Sequence, residues 1–202
     1  MAFLKGRPDL LILAVPRGGV VVGSEIARAL QAPLDVFIAR KIGAPGNPEL
    51  AIGAVASDGT AVLDEELVAQ LGVSQSYIRS ATERERVEIE RRLRAYRGDR
   101  PPLAVAGKVV VLADDGVATG ATTLAAVRSL RAQGPRELIL AVPVGPRETI
   151  RMLSREVDGA VVLDTPEPFW AVGAFYERFE QTSDREVIAL LREATPADTA
   201  AS

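Results

Sequence analysis

Two adjacent carboxylates, Asp114 and Asp115, stand immediately before a turn carrying Gly116, Thr119, Gly120, Thr122 and Thr123. These residue types divide a chemical task between them. Glycines lack the side chains that would keep a ligand away from backbone N–H groups. Threonine hydroxyls donate to anionic oxygens, and such charge-assisted bonds are the stronger class. The aspartates repel a phosphate, but they accept hydrogen bonds from a vicinal diol or help hold a Mg²⁺ that a polyphosphate brings with it. A phosphate seat beside a diol seat describes a ribose 5-phosphate.

The flanking elements must build that seat. Before the acids runs VVVLA, Val109–Ala113, apolar throughout in the manner of a strand buried on both faces. After the turn, LAAVRSLRAQG sets Leu124, Val127 and Leu130 at helical spacing and stops at Gly134. A loop leaving a parallel strand for a helix presents unpaired N–H groups at the positive end of the helix dipole. Val117, Ala118, Thr119, Gly120, Ala121, Thr122 and Thr123 are therefore the expected phosphate seat.

A similar unit opens the chain. Leu10–Val15 reads as a strand, Pro16-Arg17-Gly18-Gly19 as a loop, Val20–Leu30 as a helix and Leu34–Ala39 as a second strand. This order with short loops predicts a right-handed parallel crossover. Ligands of such sheets sit beyond the carboxyl ends of the strands, where Arg17 and the pair Arg40-Lys41 fall.

The stretch from Val110 to Thr122 resembles the phosphoribosyl-diphosphate (PRPP) motif of type I phosphoribosyltransferases: an apolar strand, two acids, then a Thr-Gly-rich loop. The resemblance implies a three-layer α/β fold with a central, mostly parallel sheet flanked by helices, a helical insertion and a small C-terminal hood. It implies transfer of the 5-phosphoribosyl group from PRPP to a nitrogenous base, with Mg²⁺ and release of pyrophosphate. Asp114, Asp115, Arg17 and Lys41 would be the catalytic residues. The two aspartates would orient the ribose hydroxyls and meet the metal, at least indirectly. Arg17, Gly18, Gly19, Arg40 and Lys41 would hold pyrophosphate, the first loop often doing so across a non-proline cis peptide, here at Arg17-Gly18 or its neighbour. The segment after Arg40-Lys41 resembles a closing loop.

FWAVGAFYE, residues 169–177, resembles the hood of hypoxanthine-type enzymes, where an aromatic stacks on the purine just before a Val-Gly pair. By that match Trp170 or Phe169 stacks on the base and Glu177 approaches it; the competing reading is a packing lid over the sheet. Two departures leave the base open. Ala118 stands where hypoxanthine enzymes carry an aspartate, and VVLDTPEPF holds no lysine to read a 6-oxo group. Family members are commonly dimers, so a homodimer is the expectation by analogy.

Composition narrows the alternatives. Aromatic residues make up only 4 % of a chain that is 48 % hydrophobic, so the core is aliphatic, as in α/β proteins. A net charge of −3 argues against a general nucleic-acid or membrane-surface binder, so any anion site is local. With no cysteine there is no thiol chemistry, and with no histidine neither a serine–histidine triad nor a histidine-ligated zinc. No P-loop or GxGxxG after a strand is present. The N-terminus mimics a signal peptide only faintly, since Asp9 interrupts a short apolar stretch; it reads as a strand, and the protein as cytoplasmic. A PRPP-binding regulator without turnover, and a different nucleotide binder of the same fold class, remain as alternatives to the enzyme.

At 202 residues the chain reads as one domain, residues 1–202, with a helical insertion or lid over 64–100 and the hood over 164–185. Ile42–Pro48, rich in glycine and proline, reads as a mobile loop. Ala51–Val55 and Thr60–Leu63 flank an SDG hairpin turn, and Asp64 is placed to cap a helix over Glu65–Leu71. Ser74–Tyr96 reads as one long solvated helix with opposite charges within single turns and an apolar seam. Residues 98–108 read as a linker, Glu137–Val142 and Ala160–Leu163 as core strands, and the final ATPADTAAS as a frayed end.

Overall fold

The computed structural model describes residues 4–194. Its centre is a five-stranded parallel sheet in the order β2-β1-β6-β7-β8, comprising β1 (Leu10–Ala14), β2 (Leu34–Val36), β6 (Val109–Ala113), β7 (Glu137–Val144) and β8 (Gly159–Asp164). Every residue of β1 and β6 is buried, as strands covered on both faces require. Alternate residues feed two cores. Ile12, Val111 and Ile139 pack with Val20 of helix α1 (Gly18–Leu30) and Val187 and Leu191 of α6 (Asp184–Glu193). Leu13, Leu112 and Leu140 pack with Val127 and Leu130 of α4 (Ala121–Ala132) and Leu153 of α5 (Arg147–Ser154). The three expected layers are present.

A second, antiparallel sheet, β3 (Ala39–Ala44), β4 (Asn47–Ala56) and β5 (Ala61–Leu63), packs against α4 and against α3 (Gln75–Arg97). Here the structure corrects the sequence reading. The expected strand Leu34–Ala39 is two elements, because the chain leaves the parallel sheet after Val36 and enters the hairpin at Ala39. Residues 42–48, expected as a loop, are mostly strand, with the turn at 45–46. Glycine makes this possible: a Cβ on Gly43 would lie 2.6 Å from Pro48 Cα, and the register shifts on both sides of that residue. Tyr77 of α3 donates to the Gly43 carbonyl at 2.9 Å.

The segment over 64–100 leaves most of its residues exposed and buries one face, as the solvated helix with an apolar seam requires. Asp64 caps α2 (Glu65–Gln70) by accepting from Leu67 N–H at 3.0 Å, and Ser74 caps α3 at Tyr77 N–H. Ile78, Ala81, Ile89 and Tyr96 bury one face of α3 in the core. On its other face Arg91 and Arg92 grip Glu88 and hold that carboxyl down to about 2. At the end of α3, Arg97 donates to Asp35 at 2.8 Å in an ion pair almost closed to solvent, which ties the start of the 98–108 connection to β2.

The strand expected as the last of the core, Ala160–Leu163, lies in β8 at the sheet edge, where Leu163 is 80 % exposed. Among the described residues no helix is long and apolar enough to cross a membrane. The C-terminal residues expected to fray lie, after Ala194, outside the described residues.

Candidate active site at the ends of β1 and β6

The chain reverses its direction of winding between β1 and β6. From β1 it passes through α1 to β2 on one side; from β6 it passes through α4 to β7 on the other. Such a switch point opens a crevice at the strand ends, and most of the sequence-derived site residues lie there. Ala14 pairs with Ala113 in register, and Val15 N–H continues the ladder to the Ala113 carbonyl at 2.9 Å. The loop after β1 is thereby laid against the turn after β6.

Contact between the two is too close for side chains. A Cβ on Gly18 would sit 1.8 Å from Asp115 Oδ2, and one on Gly19 would sit 2.9 Å from the Asp114 Cα. Gly18 and Gly19 belong to the first turn of α1 rather than to a separate loop, with Arg17 at the N-cap. The cis peptide is Pro16–Arg17, the neighbour of the bond first in line.

Asp114 Oδ1 accepts from Asp115 N–H at 2.9 Å. Removal from water pushes the Asp114 carboxyl well above the ordinary aspartate range, and the charge of Asp115 adds to this. Desolvation raises Asp115 too. The buried Thr123 hydroxyl works the other way, favouring the charged form of Asp114. Thr123 thus points inward, while Ala118 and Thr119 are exposed and Ala121 and Thr122 half-exposed. Val117 is buried, its N–H bonded to the Val144 carbonyl at 3.0 Å.

Gly120 adopts a left-handed φ of +77°, and a Cβ there would meet Thr149 Cγ2 at 2.7 Å. It is the N-cap of α4 and offers no side-chain cap. Among the described residues no protein acceptor meets the N–H groups of Ala121, Thr122 or Thr123. They lie at the positive end of a twelve-residue helix, an arrangement able to receive an anion.

Beside Asp115 lies a cavity of about 480 Å³ whose walls include Arg17, Gly18, Tyr176, Arg178 and Phe179. Arg17 lies 3.8 Å from Asp184 at the start of α6, and Asp184 also accepts from the Tyr96 hydroxyl at 2.8 Å. Burial pushes Tyr96 up to about 12, with the Asp184 hydrogen bond and charge adding to it. Arg40 and Lys41 do not line this cavity. Arg40 is paired with Glu85 of α3, and Lys41 with Glu49 of β4 at 2.8 Å.

The hood residues spread out. Phe169 stacks on Phe175 with centroids 5.1 Å apart, Trp170 is 81 % exposed and Glu177 is exposed. None of the three lines the cavity beside Asp115. The hood meets the acidic turn through residues the sequence did not single out. Tyr176 donates its hydroxyl to the Asp115 carbonyl, and Val172 presses on Gly116, where a Cβ would lie 2.6 Å from Val172 Cγ1. Burial and the two carboxylates push Tyr176 up to about 12. Tyr176 was visible only as one member of an aromatic cluster. Arg178, Asp184 and Tyr96 gave no local signal, since folding alone brings them to Arg17.

The acidic pair fits a divalent cation that arrives with its own phosphates. Among the described residues no group of three or more acidic side chains could cage a metal unaided. Two carboxylates whose desolvation is costly remain to be met by donors or a cation.

Known proteins show the same arrangement of sequence. Residues 4–176 match the phosphoribosyl transferase domain family. The chain is 41 % identical over 191 residues to "Putative phosphoribosyl transferase Rv0571c" of Mycobacterium tuberculosis, covering 95 % of this chain but 43 % of that protein. It therefore spans less than half the length of this curated relative. The crystal structure of TT1426 from Thermus thermophilus superposes with a TM-score of 0.83 at 42 % identity, covering 95 % of this chain and 90 % of that one.

Proposed function

The chain belongs to the phosphoribosyl transferase domain family, and from that premise we propose that it uses PRPP with Mg²⁺ to transfer the 5-phosphoribosyl group to a nitrogenous base, releasing pyrophosphate. The observation that carries the reading is the conjunction at the switch point. Unpaired amides at the start of α4 stand on one side of Asp114 and Asp115, and Arg17 with the glycine-bared start of α1 on the other.

In this reading Ala118–Thr122 grip the 5-phosphate through N–H groups and hydroxyls. Binding energy spent there aligns the sugar rather than holding the reacting bond. Asp114 and Asp115 accept from the ribose hydroxyls and sit near the ring, where positive charge grows as the anomeric C–O bond breaks. The electron pair of that bond leaves with pyrophosphate, whose negative charge Arg17 and the first amides of α1 meet. A ring nitrogen of the acceptor then forms the C–N bond and gives up its proton. When bound, Mg²⁺ supplies charge neutralisation of the pyrophosphate, and the acidic pair would help hold it, directly or through the sugar hydroxyls. The base seat at Trp170, Phe169 and Glu177, and the roles of Arg40 and Lys41 in the leaving-group site, belong to the same proposal.

One observation favours a second reading, a PRPP-binding regulator without turnover: Arg40 and Lys41 already hold carboxylate partners. Incubation with PRPP, Mg²⁺ and a panel of purines, pyrimidines and related bases decides between them. Base-dependent pyrophosphate release supports the transferase. Tight PRPP binding without release under any base supports the regulator. Absence of PRPP binding overturns both.

A further inference from the structure

We propose that Tyr176 is a positioning residue for the acidic pair: its hydroxyl fixes the peptide between Asp115 and Gly116, so that the Asp115 carboxylate faces the cavity and the hood and the turn act as one unit. The inference rests on the sugar-phosphate reading above.

The peptide in question is poorly restrained by its own chain. Gly116 has no side chain to oppose rotation of the Asp115–Gly116 unit. Among the described residues the Asp115 carbonyl has one hydrogen-bond donor, the Tyr176 hydroxyl. The chain on either side is held elsewhere: Asp114 N–H bonds the Ala141 carbonyl at 3.1 Å, Asp115 N–H bonds Asp114 Oδ1 at 2.9 Å, and Val117 N–H bonds the Val144 carbonyl at 3.0 Å. A peptide anchored on both sides and free in the middle can turn over, and Asp115 would turn with it.

The phenol is itself held in place. Its ring lies 5.1 Å from that of Phe179. Phe179 in turn packs on the hood turn so closely that a Cβ on Gly173 would lie 2.5 Å from Phe179 Cδ1. Val172, from that same turn, meets the space where a Gly116 side chain would stand. Two contacts from one hood segment therefore converge on two consecutive residues of the acidic turn. Among the described residues no hydrogen bond from the hood reaches the amides at the start of α4.

That separation makes the inference testable with ligands of increasing reach. Inorganic phosphate needs only the amides, ribose 5-phosphate adds the diol, and PRPP adds the pyrophosphate. In Tyr176→Phe the affinities for ribose 5-phosphate and Mg²⁺-PRPP, measured by titration calorimetry, are expected to fall about five- to tenfold, the scale of one lost hydrogen bond. Inorganic phosphate, followed by its thermal protection of the protein, is expected to bind as in the parent. Gly116→Ala, which leaves the hydroxyl in place but puts a Cβ 2.6 Å from Val172 Cγ1 and 3.1 Å from the Val144 side chain and carbonyl, is expected to give the same selective loss. Unchanged ribose 5-phosphate binding in either variant, or a parallel loss of phosphate binding, overturns the positioning role alone. Failure of the parent to bind ribose 5-phosphate or PRPP removes the sugar-phosphate reading and this inference together.

Discussion

The two sides of the crevice are built on different principles. On the sugar-phosphate side, backbone meets backbone: Gly18 and Gly19 lie against Asp115 and Asp114 with no room for a single carbon, and Gly120 turns the chain into α4. On the hood side, large side chains stand in solvent, Trp170 about four-fifths and Phe179 about half exposed. The first side is closely packed. The second offers aromatic surface without an enclosed seat. In the proposed reading the grip on PRPP would come from the backbone of the fold, whereas acceptor choice would fall to a region with little to constrain it.

The sharpest way to break that contrast is Asp115→Asn. The fold should survive, because the substitution nearly preserves shape, while base-dependent pyrophosphate release falls about 10²–10³-fold; an equal rate in mutant and parent would falsify the assignment of the pair. Gly18→Ala comes next. Its Cβ lands on Asp115 Oδ2, so PRPP affinity should drop at least about tenfold and stability by about 1–3 kcal/mol, the usual cost of overpacking. Calorimetry and a denaturant titration read both.

Trp170→Ala addresses the other side. With its ring so exposed, stability should change by less than about 0.5 kcal/mol, and PRPP affinity should hold. If Trp170 stacks on the acceptor, KM for the base should rise about five- to tenfold, the lower part of the stacking range. A KM that does not move would leave the hood as packing. Glu85→Ala tests whether Arg40 belongs to the site. Once released, Arg40 should tighten PRPP binding about two- to fivefold, since a half-exposed ion pair is worth little; no change would place Arg40 outside the leaving-group seat.

The smallest effect is on stability. The Asp114 carboxyl is raised in the fold above its ordinary value of 3.8. Its contribution to stability is therefore full below that value and lost as pH rises through the folded one. That stability is lost as pH rises above 3.8, so Asp114→Asn should raise the melting midpoint at pH 7 by a few degrees, with the gain vanishing near pH 4. A midpoint lowered at pH 7 would show that the carboxylate is well compensated without ligand.

The same contrast explains what could be read from the sequence. VVVLADDGVATGATT was legible because strand, turn and helix start are consecutive, so one stretch names its own seat. The parallel sheet and the VPRGG turn followed from local patterns of the same kind. Residues 42–48 were misread because glycine and proline usually interrupt a strand, and here Gly43 makes room for the backbone at Pro48 across the hairpin. Tyr176 and the Tyr96–Asp184–Arg17 chain were invisible for another reason. Tyr176 and Tyr96 meet their partners, Asp115 and Asp184, across 61 and 88 positions of chain, and Arg17 reaches Asp184 from near the other terminus. No local spacing encodes such meetings.

One bond described above sets a limit on motion. Val15 N–H to the Ala113 carbonyl stitches the loop of one strand to the end of its neighbour beyond the last paired residues. The turn after β1 and the acidic turn after β6 are therefore tied together at their roots. In the proposed reading, a gate that admits or expels a reactant would swing on the hairpin or the hood, above this stitched floor.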